Sequence, residues 1–190
     1  MTAVLLLLAA LVASAFFSGM EIAFLSANRL QVEIEAKKGS LAGRILPWFY
    51  RRSTSFIATM LLGNTVALVL VGNSTARLLN EPLAILGSPF AVVAVQTLLS
   101  TAVVLVVAEY MPKAFFRERA NESLRAFSGV LAAVVVALSP AVLFFTLLSQ
   151  WVARWTGKSA DTRGPGVFGR ADLDYLVGEH LADSDGPVEP

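Results

Sequence analysis

Residues 16–29 read FFSGMEIAFLSANR and close an apolar run that begins at Ala3. From Ala3 to Phe17 the chain is nearly pure Ala, Leu, Val and Phe. Continued to about Leu25, the run is long enough to cross a bilayer as a helix. No basic residue precedes it and no separate mature domain begins after Ala15, so a cleaved leader is not expected. Ser18, Gly19, Glu21, Ser26, Asn28 and Arg29 then arrive together. A carboxylate at membrane depth is costly and rarely idle, which makes Glu21 a functional candidate. At about 100° per residue, Ser18, Glu21 and Asn28 fall within a quarter turn of one another. Ser26 joins them only if the helix bends or unwinds at Gly19. The plain alternative is that Glu21 and Arg29 are simply solvated at the inner boundary.

Composition agrees with a membrane protein: 56% of the 190 residues are hydrophobic and only 15% are charged. The mean hydropathy is +0.67. Without cysteine, disulfide scaffolds and thiolate metal sites are excluded. The single histidine, His180, lies in the polar tail, so a histidine-rich zinc or iron site is excluded as well. No basic-aromatic pattern points to nucleic acid.

Outward from the first span, Asn28 to Arg52 carries Arg29, Lys37, Lys38, Arg44, Arg51 and Arg52, with Leu30, Ile34, Leu41 and Ile45 at helical spacing. Such a segment is suited to the membrane surface, and its basic excess assigns it to the cytoplasm. Thr54 to Leu79 is the second expected span, with Gly63-Asn64 and Gly72-Asn73 in or near its apolar length. Amides in a span need partners, and ordinary helix packing is one way to supply them. Asn80 to Pro89 reads as an outer loop without Lys or Arg. Phe90 to Met111 is the third span and ends in Glu109-Tyr110-Met111-Pro112-Lys113. Pro112 disturbs the helix about one turn earlier, where Glu109 stands. Lys113 is the competing partner for Glu109, as an ion pair at i+4.

The fourth apolar run, Phe127 to Val152, has basic residues on both flanks and Ser139-Pro140 at its middle. A single crossing does not satisfy those flanks, so a bent in-plane or re-entrant helix pair is expected, with Trp151 and Trp155 at the interface. Lys158 to Gly169 reads as a polar linker, and Ala171 to His180 as a short amphipathic segment. The expected architecture is an all-α membrane protein of three transmembrane helices plus juxtamembrane and kinked in-plane or re-entrant helices. The membrane domain takes residues 1–156. The linker and start of a cytoplasmic region take 157–190.

The polar islands Ser18 to Asn28, Gly63-Asn64 and Glu109 can converge in the inner half of such a bundle. Hydroxyl, amide and carboxylate oxygens suit a hard cation such as Mg²⁺. Gly positions allow backbone carbonyls to approach as further ligands.

Three motifs in order also carry a resemblance. FFSGMEIAFLSANR looks like the FFSGSETALTSANR-type motif of the cyclin-M/CorC magnesium-transporter family. LLGNTVALVLVGN resembles its LLIGNNLVNI-type segment, and VVAEYMPKAFFRERAN its GE-x-x-PK-T motif. Met20, Ile22, Thr65 and Ala108 depart from the family pattern. The resemblance covers about residues 1–180. It implies a metal site drawn from Ser18, Gly19, Glu21, Ser26, Asn28, Gly63, Asn64 and Glu109, and Mg²⁺ efflux with Na⁺ as coupling ion. It also implies a homodimer in the inner (plasma) membrane and cytoplasmic CBS domains in the full-length chain, since GRADLDYLVGEH is similar to the segment before a CBS pair. The charge pattern expects the N-terminus outside and the C-terminus in the cytoplasm. The alternative function is a membrane-embedded Mg²⁺ sensor or scaffold that moves no ion. No nucleophile-base pair or phosphate loop suggests an enzyme.

Overall fold

The first helix, α1 (Thr2–Ser26), runs unbroken through Gly19 in a computed structural model that describes residues 2–155. The bend that would bring Ser26 onto the Ser18 face does not form. Asn28 turns the chain instead: its backbone is extended and its side chain accepts the Leu30 N–H at 2.9 Å, which caps α2 (Arg29–Lys37). Gly39, at φ +68°, reverses direction, and Ser40 caps α3 (Leu41–Arg51) by accepting the Gly43 N–H at 3.0 Å.

These two short helices form a hairpin with a close seam, because a Cβ at Gly43 would run into the Glu35 carbonyl. Val32, Ala42, Leu46 and Phe49 turn inward. Most of the stripe noted in the sequence turns the other way: Leu30, Ile34 and Leu41 are exposed, and Ile45 is partly buried. Glu35 ties the hairpin to the start of the last helix. It accepts from Lys38 Nζ at 3.1 Å and Ser40 Oγ at 3.0 Å, with Arg125 at 3.9 Å. The Lys38 and Ser40 hydrogen bonds hold its pKa below the ordinary 4.5. Its contribution is therefore present above that value and is lost as pH falls below it.

The best-packed region lies where α1 ends and α4 (Ser53–Leu83) begins. Phe24 stacks on Tyr50 at 4.4 Å and meets Phe56 at 4.3 Å, and Phe49 lies 4.7 Å from Phe56. Met20 and Met60 fill the space beside the rings and are fully buried. Tyr50 Oη donates to the Phe24 carbonyl at 3.1 Å, and burial pushes its pKa up to about 12 from 10.0. That tie is full below pH 10 and fades as pH rises toward about 12.

The loop expected from Asn80 to Pro89 is shorter than the sequence suggests, because α4 continues through Pro82 to Leu83. A proline this close to a helix end removes one backbone bond and little else. A 3₁₀ turn (Ala84–Leu86) and Gly87 at φ +66° then lead to α5 (Pro89–Val103). The third span departs from α geometry where it was expected to. Val104–Tyr110 is π-helical, and the Met111 N–H reaches the Val106 carbonyl. Pro112 follows in α6 (Met111–Glu118). Its missing N–H and its ring against the carbonyl four residues back favour this wider turn.

The last apolar run corrects the reading of a bent pair. It forms one helix, α7 (Ala120–Trp155), with Pro140 inside it. The reason is local: Pro140 leaves the Val136 carbonyl without its helical donor, and Ser139 Oγ donates to that carbonyl at 2.7 Å. Among the described residues, four helical stretches are long and apolar enough to cross a membrane: Thr2–Ser26, Ser53–Leu86, Pro89–Glu118 and Ala120–Val152. Among the described residues, 2–149 pack as one unit and 150–155 belong to a second. In the second unit, Trp151 and Trp155 stack at 5.8 Å. The expected linker at Lys158 to Gly169 and the amphipathic segment at Ala171 to His180 lie outside the described residues.

Candidate cation site

The depth of each polar residue follows from how α1 meets its neighbours. Ser14 Oγ donates to Asn64 Oδ1 at 2.6 Å, Phe17 covers Gly63, and Phe24 meets Phe56. These pairs set α1 and α4 antiparallel and fix their register. On the other side α1 packs against the π-helical segment and α6, with the Phe116 ring over Gly19. Glu109 stands seven residues before Phe116, about 10 Å along the axis, toward the level of Ser14 and Asn64.

Ser18 and Asn64 thus lie on the packed pair α1 and α4, and Glu109 on the π segment that packs against α1. Ser18 is fully buried, and its Oγ has no hydrogen-bond partner. Such an orphan is rare in a folded interior and calls for an explanation. Asn64 is buried and held by Ser14. Glu109 is half-buried on the wide π turn. The ion pair with Lys113 is not made: the ion pairs among the described residues join Glu35 to Lys38 and to Arg125. Glu21, half-buried, also lacks one and lies beyond Gly19 toward the boundary. Ser26 and Asn28 are exposed at that boundary, and the Asn28 side chain is engaged as a helix cap.

Gly19 and Gly63 lie beneath phenylalanine rings. A Cβ at Gly19 would overlap Phe116, and one at Gly63 would stand 2.5 Å from Phe17. The rings of Phe17, Phe16, Phe127 and Phe116 pack in that order beside them. Ser14 had not been singled out from the sequence. Its signal is a hydroxyl one helical turn before Ser18 inside an apolar span.

Among the described residues no group of three or more His, Cys, Asp or Glu is placed to hold a metal. The polar donors on these helices are instead a hydroxyl, an amide and one carboxylate, the last beside a turn to which Pro112 offers no N–H. That set is hard, oxygen-only and low in charge, the kind suited to a cation that keeps part of its water.

A sequence model described as the cyclin M transmembrane N-terminal domain matches residues 5–188. The chain belongs to that family. It is also similar to the UPF0053 inner membrane protein YfjD of Escherichia coli (strain K12), at 26% identity over 166 residues. The match takes in 87% of this chain and 38% of the relative, so the chain spans well under half the length of that protein. The polar motifs of this cyclin M domain lie on α1, α4 and the π segment.

Proposed function

We propose that this cyclin M domain is the membrane part of a Mg²⁺ transporter that moves Mg²⁺ outward against Na⁺ entry. The observation that carries the reading is the buried, partnerless Ser18 hydroxyl together with Glu109, which has no counter-ion, on helices that pack together. A carboxylate without a cation is costly in an apolar span, and a passing divalent ion offsets that cost. Mg²⁺ is the transported substrate here, bound by Ser18, Asn64 and Glu109, with Glu21 on the route to the boundary. The protein works as a homodimer, with cytoplasmic CBS domains in the full-length chain, and it is not an enzyme. No residue of α5 (Pro89–Val103) is buried within the chain, which leaves that helix free to meet lipid or a second copy.

The test is ion movement. In liposomes loaded with Mg²⁺ and a Mg²⁺-sensitive dye, the purified protein should release Mg²⁺, and faster when Na⁺ is added on the opposite side. No release above protein-free liposomes would favour the sensor or scaffold reading. Release indifferent to Na⁺ would remove the coupling ion alone.

The basic flanks of α7 keep both its ends in the cytoplasm, with the N-terminus outside. Since the chain has no native cysteine, Ser88→Cys and Ser159→Cys should react with an impermeant maleimide from opposite faces of the membrane. Reaction from one face would show instead that α7 crosses.

A further inference from the structure

We propose that the cleft between α2 and α3 is a binding site for the phosphate of an anionic lipid headgroup. The cleft has a volume of about 530 Å³ and is bordered by Arg29, Lys37 and Arg51, with Val32, Pro47 and Tyr50 completing its walls. Glu33 is the acidic residue on its lining, and neither it nor any of the three cations is in an ion pair. Arg29 and Lys37 on α2 and Arg51 on α3 therefore border the cleft with less than matching negative charge.

The placement argues for lipid. The hairpin begins within three residues of the end of α1, so its cleft lies at the membrane boundary. On the same hairpin, Leu30, Ile34, Leu41 and Trp48 are exposed, and Arg52 lies 5.2 Å over the Trp48 ring. An exposed apolar stripe with an arginine-covered tryptophan matches the headgroup-to-acyl boundary and is unsuited to open water. Arg29 is similarly held 5.8 Å over Tyr50, which aims a guanidinium at the cleft at small entropic cost. The occupant is thus an anionic phospholipid of the adjoining leaflet, with its phosphate among the cations and its chains along the apolar stripe.

The test uses the 190-residue protein in phosphatidylcholine nanodiscs, with phosphatidylglycerol as the probe, retained lipid being counted by native mass spectrometry. The triple variant Arg29→Gln/Lys37→Gln/Arg51→Gln should lower preferential phosphatidylglycerol retention more than about tenfold, and Lys37→Gln alone by about fivefold. Arg44→Gln, on the same hairpin but outside the cleft, should change it less than about twofold. Should the triple variant fail to fold, Lys37→Gln against Arg44→Gln decides the matter alone. Equal losses in those two would overturn the site in favour of diffuse charge attraction. Undiminished retention in Lys37→Gln would also overturn it. Millimolar inorganic phosphate should not displace the lipid, and displacement would assign the cleft to a soluble phosphate instead.

Discussion

Glu109→Gln should abolish Mg²⁺ release from liposomes and weaken Mg²⁺ binding by at least about tenfold, since charge count is what sets affinity for a hard cation. The substitution keeps size and hydrogen-bonding capacity, so helicity and assembly should be unchanged by circular dichroism and native mass. Lys113→Met is the paired control. Because Lys113 does not pair with Glu109, its loss should leave Mg²⁺ affinity within about twofold of the parent, the scale of a distant, screened charge. Isothermal titration reads both. A Glu109→Gln protein with full Mg²⁺ affinity would take Glu109 out of the site and leave Glu21 as the remaining carboxylate on the membrane-embedded motifs.

The second large effect is mechanical. Replacing Gly with Ala inside an exposed helix gains about 1 kcal/mol, whereas forcing a methyl into filled space costs about 1–3 kcal/mol. At Gly19 the space is filled by Phe116, whose ring is held against Phe127 at 6.3 Å. Gly19→Ala should therefore come out destabilising, by about 1–2 kcal/mol in thermal or denaturant melts. It should also reduce Mg²⁺ affinity, because displacing α6 moves the π turn that carries Glu109. Gly19→Ala/Phe116→Leu should recover most of the loss by making room for the methyl. A stabilised Gly19→Ala protein would mean that the ring moves freely and that the α1–α6 contact does not set the position of Glu109.

How far the sequence reveals this molecule depends on whether the deciding interaction is local. Pro112 acts on its own turn, so the disturbed backbone at Glu109 was legible and appears as a π segment. The long apolar runs of α1 and α4 were legible for the same reason. Ser139-Pro140 misled because the proline's local cost is cancelled by a serine one residue away, which hydrogen-bonds the very carbonyl the proline abandons. Asn28 is ambiguous in sequence, since an amide just past an apolar run serves equally as a ligand or a cap. Its backbone geometry gives it the cap. The reason for Gly19 and Gly63 was out of reach, because the rings they admit come from Phe116 and from Phe17 on another helix. Ser14 became visible only once the α1–α4 register paired it with Asn64.

The most direct test of the central claim is to locate the cation itself. A structure of the protein soaked with Mn²⁺, a hard divalent stand-in for Mg²⁺, should show one anomalous peak per chain between α1, α4 and the π segment, within ligand distance of Glu109 and bounded by Ser18 and Asn64. A peak confined to Glu33 and Glu35 on the hairpin, with nothing beside Glu109, would contradict the account.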